Sequence, residues 1–205
     1  MRAFRKSPAA SRIALVSIGY FIVCVVILDL FLGGLDPLSQ EMSYHLDGER
    51  RLLATSCFFA LAVSLGATAV SLRRTLDPSL ATNLGLVFFA LASIGVVVAG
   101  LSPPEGGPLS SRIHDVSSDV ALPSILLGVT ALTVSLRRTW PAEGPRAAAT
   151  VLCVASLVIV FVGRGFMMDA GISGLLQRSI FLCWLGWMWL VNWSGLALDR
   201  TDGAT

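Results

Sequence analysis

The chain is poor in charge. Asp, Glu, Lys and Arg make up 14% of its 205 residues, against about 25% in an ordinary globular protein. Hydrophobic residues make up 55%, and the mean hydropathy is +0.77. This excess is too large for a soluble core of this size, and it excludes a disordered chain, a nucleic-acid-binding domain and a disulfide-stapled secreted module. The composition predicts an all-α, polytopic membrane protein.

Strong catalytic and metal-binding motifs are also missing. The sequence has no H-E-x-x-H, G-x-S-x-G, G-x-x-x-x-G-K-[ST] or C-x-x-C. Its two histidines, His45 and His114, could hold a metal only with added carboxylates. A bis-histidine haem would need both on facing helices, but His45 is predicted to lie in a loop. We therefore expect no metal and no cofactor.

Six apolar segments reach or approach the roughly 20 residues that cross a bilayer as a helix. Asp29, in the first, is the only carboxylate clearly at membrane depth, and the surrounding apolar residues outweigh its cost of about 2.5–3.5 kcal/mol. The fourth is extended backward, with Ser110 or Ser111 capping the helix start. The sequence thus predicts a bundle of six transmembrane helices in a single integral membrane domain, 1–205, with spans at about 13–34, 52–72, 80–101, 115–136, 147–166 and 179–198.

The distribution of Lys and Arg predicts the orientation, because cytoplasmic loops carry an excess of these residues. With the N-terminus inside, the inner segments carry ten: Arg2, Arg5, Lys6, Arg12, Arg73, Arg74, Arg137, Arg138, Arg146 and Arg200. The outer segments carry five: Arg50, Arg51, Arg112, Arg164 and Arg178. We therefore expect a multi-pass protein of the bacterial inner membrane, with both termini in the cytoplasm.

Polar side chains concentrate at the predicted outer face. Intramembrane ionisable residues usually face the bundle interior and a partner, and depth makes Arg164 and Arg178 the candidate partners of Asp29. Three segments supply the other polar residues: Ser43, Tyr44, His45, Asp47 and Glu49; Arg112, His114, Asp115, Ser118 and Asp119; and Asp169 and Gln177 beside the two arginines. For Asp115 and Asp119 a simple helix N-terminal preference is an alternative to a functional role.

Several short segments together resemble the bacterial and archaeal membrane family named domain of unknown function 998. They are Asp36-Pro37-Leu38-Ser39 with Ser43-Tyr44, Leu101-Ser102-Pro103-Pro104, Ile113-His114, and Gly174-Leu175-Leu176-Gln177-Arg178 before the Trp-containing last span. The likeness covers roughly 13–198 and implies a six-helix fold, but no reaction. It nominates Ser39, Ser43, Tyr44, His114, Gln177 and Arg178 for an outward-facing site. His45 stands where the family usually has a small residue, which argues against a shared site there.

Three functions remain open. The first is a non-enzymatic protein that binds a lipid or small amphiphile, or serves as an accessory subunit of a membrane complex, with Arg164 and Arg178 contacting anions and Asp29 and His114 tuning or relaying protons. The second is an intramembrane lipid-modifying enzyme that uses His114 as general base beside a Ser or Asp. The third and weaker one is a small transporter. Membrane lipids are the expected partners, a membrane protein is the alternative, and nucleic acid is not expected.

These hypotheses predict different geometries. An enzyme needs His114 within hydrogen-bond reach of a Ser or carboxylate beside a cavity. A binder needs an open apolar slot with Arg164 or Arg178 at its mouth. If the protein is a subunit that only packs against others, the neighbours of Asp29 should satisfy its carboxylate, and there should be no cavity.

Overall fold

In a computed structural model, which describes residues 8–32, 34–139 and 143–202, six helices are long and apolar enough to cross a membrane. Most of the chain is helical, and the described residues contain no strand. The helices are α1 (Pro8–Val26), α2 (Arg51–Thr75), α3 (Leu80–Leu101), α4 (Pro108–Thr139), α5 (Glu143–Val158), the short α6 (Arg164–Asp169) and α7 (Ser173–Asp202). The predicted six-helix, all-α membrane fold is confirmed.

Two spans contain a π-helical turn near the same end of the bundle. The first span continues from α1 through the turn Ile27–Phe31, and α5 is joined to α6 by the turn Ile159–Gly163. A π turn inserts one extra residue into the helix and often marks a functional site. This end of the bundle, which also carries the connections 34–50, 102–107 and 170–172, is called the loop end below.

Small residues bring α3 and α4 into the most extensive helix contact of the bundle. An added Cβ on Gly95 would lie 2.9 Å from the Ser117 carbonyl oxygen and 3.0 Å from the Ala121 Cβ. In lipid, such close approach replaces the hydrophobic effect as the main source of helix association.

The sixth span packs in the middle of the bundle. The Trp187 side chain is fully buried, its ring contacts Phe89 edge-on at 6.0 Å, and its Nε1 donates to the Thr133 hydroxyl at 2.9 Å. In contrast, most of the surface of α5 is exposed, and α5 contacts α7 more extensively than it contacts α4. A space between these helices can therefore remain open.

The fourth span begins earlier than the capping prediction supposed. Helix α4 starts at Pro108, directly after Gly107, whose φ is +100°. Proline is well suited to the first helical turn because its missing N–H would have no partner there. Ser110 and Ser111 consequently lie inside the helix, so the prediction that one of them caps it was wrong. Of the predicted inner cations, Arg2, Arg5 and Lys6 lie outside the described residues, as does the Arg200 side chain.

Candidate functional site: a cavity beside an ion-paired cluster

Asp29 and Arg178 form an ion pair between the first and sixth spans. The Arg178 Nε donates to Asp29 Oδ2 at 2.8 Å, and its Nη2 donates to Oδ1 at 2.7 Å. The side chains are 9% and 17% exposed. Two parallel hydrogen bonds from one guanidinium to one carboxylate give the strong bidentate geometry. Of the two arginines that depth nominated, Arg178 pairs with Asp29, and the Arg164 side chain has no hydrogen bond or ion pair within the described ranges.

Arg178 also binds the first connection at the loop end, residues 34–50 between the first and second spans. Its Nη1 donates to the carbonyl oxygens of Gln40, at 2.8 Å, and Gly174, at 3.1 Å. All three guanidinium nitrogens are thus engaged by the protein itself. This leaves Arg164 as the better candidate to contact a ligand anion.

His45 completes the cluster, although the sequence analysis placed it in a loop and argued against a site there. It lies in the 3₁₀ turn Met42–Leu46, is 4% exposed, and its Nε2 is 2.9 Å from Asp29 Oδ1. Because a carboxylate only accepts, Nε2 carries the proton. A carboxylate at membrane depth needs several hydrogen-bond partners. A search for further partners of Asp29 in the neighbouring connection could therefore have found His45.

The connection 36–42 covers the N-terminus of α7. The Leu175 N–H donates to the Leu38 carbonyl at 2.9 Å, and the Ser173 hydroxyl donates to the Ser39 carbonyl at 2.8 Å. The Gln177 Oε1 accepts from the Met42 N–H at 2.7 Å. The first N–H groups of a helix lack partners within it, so these contacts satisfy donors and fix the connection.

Gly174 permits this close contact. A Cβ at this position would overlap the Gln40 carbonyl oxygen and would lie 2.7 Å from that of Pro37. Only a residue without a side chain lets the two backbones meet here.

Ser39 acts within its own turn. Its hydroxyl donates to Asp36 Oδ2 at 2.6 Å, and the Leu38 N–H donates to Oδ1 at 3.0 Å. These bonds, the Ser39 hydroxyl first, lower the pKa of the exposed Asp36 carboxyl because they favour its charged form. The geometry gives Ser39 a structural contact and places it away from the cavity described next.

A cavity of about 890 Å³ opens at the loop end between α1, α2, α3, α4, α7 and the π turn and α6 that follow α5. Aromatic and aliphatic side chains line its deeper part, among them Phe21, Leu61, Leu126, Phe181 and Trp184. Polar side chains line its mouth, among them Glu41, Ser43, Tyr44, His114, Asp115, Ser118, Asp119, Arg164 and Gln177. The volume lies within the range of about 300–1,000 Å³ that is typical of small-molecule pockets.

His114 lines this cavity and is held by the backbone. It is 5% exposed, and its Nδ1 lies 2.8 Å from the Ser102 carbonyl oxygen and 3.1 Å from that of Ala99. Because carbonyl oxygens only accept, Nδ1 carries the proton, and in the neutral ring Nε2 is an acceptor. Among the described residues, no Ser or carboxylate side chain hydrogen-bonds to this ring.

The candidate residues therefore fall into two groups. Ser43, Tyr44, His114, Arg164 and Gln177 line the cavity. Asp29, Ser39 and Arg178 do not line it but, through their contacts, hold the connection that forms part of its wall. His45 belongs to both groups, since it lines the cavity and contacts Asp29.

Comparison with known proteins places this architecture in a family. The model of the family described as "Protein of unknown function (DUF998)" matches residues 15–194. The chain belongs to the DUF998 family. The resemblance seen in the sequence is thereby confirmed. No curated protein and no solved structure matches the chain.

The segments that carried the DUF998 resemblance meet in pairs. The segment Asp36–Ser39 contacts Gly174–Arg178, and His114 contacts the segment at Ser102. Each contact involves one helix end at the loop end, the start of α7 in the first and the end of α3 in the second. Their first role is thus to fix the connections around the cavity.

Within residues 8–32, 34–139 and 143–202, no group of three or more His, Cys, Asp and Glu side chains could hold a metal ion. The two histidines serve different connections: His45 faces Asp29, and His114 faces the end of α3. They therefore do not form a common ligand pair.

Proposed function

We propose that this integral membrane protein binds an amphiphile, with its apolar part in the cavity and its polar head at the loop end. The observation that carries the proposal is the cavity itself, which combines an apolar interior with a polar mouth. Pockets of this size, mostly apolar with a few polar groups, are the usual form of a small-molecule site.

The apolar interior favours a hydrocarbon chain over water. Three aromatic rings contact one another there: the Phe181 centroid lies 5.9 Å from that of Phe21 and 5.5 Å from that of Trp184. Protein interiors are normally close-packed, and an empty space deprives its lining of dispersion contacts. An acyl chain would restore those contacts, and the bilayer supplies such chains at high concentration.

The polar mouth favours a ligand that also has a charged or hydrogen-bonding head. Arg164 lines the cavity at the start of α6, as the binder hypothesis requires. The neighbours of Asp29 satisfy its carboxylate, as the packing hypothesis requires, but the presence of a cavity supports the binder hypothesis over a subunit that only packs.

The enzyme hypothesis receives less support. It requires a Ser or carboxylate that hydrogen-bonds to His114, whereas the contacts of its Nδ1 are the carbonyl oxygens of Ala99 and Ser102. The nearby Ser117 hydroxyl donates to the carbonyls of Ile113 and His114. We therefore assign no reaction.

The proposed location is the cytoplasmic membrane, with both termini in the cytoplasm and the cavity facing outward. The support is the excess of Lys and Arg, ten against five, in the segments that the sequence predicts to be inner.

Native mass spectrometry of the purified protein tests the proposal. Ser118→Trp places a large side chain in the mouth, whereas Val116→Trp, on the same helix, changes an exposed residue that does not line the cavity. We expect lipid adducts on the wild-type protein and on Val116→Trp, and at least a tenfold loss on Ser118→Trp. Circular dichroism confirms that both variants are folded.

Equal lipid retention by the two tryptophan variants, or no retained lipid on the wild type, would contradict the proposal. Retention of a stoichiometric protein in place of lipid would indicate the accessory-subunit hypothesis instead.

A further inference from the structure

Apart from Glu41, whose carboxylate lies 3.4 Å from Gln177 Nε2, the charged residues of the mouth lie on two helices. Asp115 and Asp119 are separated by one turn of α4, and Arg164 begins α6. All three line the cavity and are exposed. In the part of the chain that the structure describes, none of the three side chains has a hydrogen bond or an ion pair.

Unpaired charges of opposite sign beside one cavity complement a ligand that carries both signs. Two carboxylates attract an ammonium group, and a guanidinium binds phosphate. A fully anionic head in the same cavity mouth would face the two carboxylates of α4, and like charges in apposition are unfavourable. The mouth therefore favours a zwitterionic head over an anionic one.

A second observation comes from the interior. Trp184 lines the cavity and is 2% exposed, and its buried Nε1 has no hydrogen-bond partner among the residues that the structure describes. A buried donor without an acceptor is unfavourable, and Trp in such a position usually finds one. It lies two turns of α7, about 10 Å, below Gln177 at the mouth.

The occupant must thus bring an acceptor oxygen below its charged head. In a glycerophospholipid, acyl ester carbonyls occupy the level between the phosphate and the hydrocarbon chains. An ester carbonyl would accept from Trp184, and the chains would fill the aromatic interior.

We infer that the ligand is a zwitterionic glycerophospholipid with an ammonium group, taken from the surrounding bilayer. Its phosphate contacts Arg164, its ammonium group contacts Asp115 and Asp119, and an ester carbonyl accepts from Trp184. This inference rests on the proposed function, and it adds the class of ligand and its orientation.

The test uses the full chain reconstituted in vesicles of equal parts phosphatidylethanolamine and phosphatidylglycerol. After extraction in mild detergent, native mass spectrometry gives the retained lipid and the ratio of the two classes. We expect the wild-type protein to retain phosphatidylethanolamine in at least fivefold excess.

Variants separate the contributions of the mouth. Asp115→Asn with Asp119→Asn is expected to bring the ratio close to one while lipid is still retained. Arg164→Gln is expected to lower the retention of both classes about tenfold, because a charge-assisted phosphate contact is lost. The controls Glu105→Gln and Arg112→Gln change exposed charges that do not line the cavity, and they are expected to behave as wild type.

Trp184→Phe tests the interior contact. It keeps an aromatic ring but removes the donor, so we expect about fivefold lower retention with the same preference between the two lipids. Near-UV circular dichroism of the remaining tryptophans shows whether the variant is packed as in wild type.

The two proposals fail differently. Retention without preference between the lipids, or a preference for phosphatidylglycerol, would overturn the inference and leave amphiphile binding intact. A preference unchanged by the double Asn variant would also overturn it. If no lipid is retained at all, both proposals are wrong.

Discussion

The Asp29 carboxylate accepts two parallel hydrogen bonds from the Arg178 guanidinium, at 2.7 and 2.8 Å, across the first and sixth spans. His45 contacts the same carboxylate at 2.9 Å, and Arg178 also binds the Gln40 carbonyl. One cluster therefore joins the first span, the first connection and the last span. The wall of the cavity depends on that junction.

Breaking this pair on one side should destabilise the protein strongly. Asp29→Asn or Arg178→Gln leaves the other charge buried without its counter-ion, which costs about 3–5 kcal/mol of unfolding free energy. The double variant removes both charges and should lose less than the sum of the single losses. Unfolding in mixed micelles with increasing dodecyl sulfate, followed by circular dichroism, measures the unfolding free energies of the four proteins in this double-mutant cycle.

The exposed pair of Glu143 and Arg146, 3.7 Å apart, is the matched control. Such pairs contribute about 0–1 kcal/mol, so Glu143→Gln and Arg146→Gln should change stability little. Losses at Asp29 and Arg178 that are as small, or that simply add, would contradict a coupled buried pair.

The sequence predicts the number of spans and part of this cluster. Long apolar runs are sufficient for six helices, and depth alone brings Arg178 to the level of Asp29. Depth does not give the direction in which a side chain leaves its helix, so it could not choose between Arg178 and Arg164. An outward-facing polar pocket was predicted from the sequence, but its volume and apolar interior were not, because they depend on how loosely α5 packs against α4. His45 was missed because the 3₁₀ turn that buries it has no strong sequence signal.

Gly174→Ala should loosen the connection at the loop end. The new methyl group would overlap the Gln40 carbonyl oxygen and press on that of Pro37, and overpacking of this kind costs about 1–3 kcal/mol. Gly165→Ala is the control, because among the described residues no atom outside its own stretch of helix lies within 4 Å of an added Cβ there. Thermal unfolding in detergent should show a lower midpoint for Gly174→Ala only; equal midpoints would show that the backbones need not be so close.

Ser39→Ala should destabilise the protein at neutral pH but not in acid. The Ser39 hydroxyl helps to hold the Asp36 pKa below its usual range, and an Asp in an unfolded chain titrates at about 3.9. The stabilisation is thus full above that pH and disappears as the pH falls through the lower, folded-state value. Unfolding midpoints from pH 7 to pH 2 should show the two proteins converging below about pH 3.9.

The control for this profile is Ser179→Ala, since the described part of the chain shows no hydrogen bond from the Ser179 side chain. Its difference from wild type should not depend on pH. A constant difference for Ser39→Ala would mean that Asp36 does not mediate the effect.

Labelling from outside the cell should reach the loop end and not the opposite end. Glu105 lies in the connection between α3 and α4, Arg137 lies at the far end of α4, and both are exposed. The cysteines Cys24, Cys57 and Cys153 are buried, and Cys183 lies within the sixth span, so the native chain should give little background. In intact cells, a membrane-impermeant maleimide should modify Glu105→Cys, and it should modify Arg137→Cys only after the membrane is opened. The reverse pattern would place the cavity on the cytoplasmic side, where an amphiphile would have to enter from the inner leaflet.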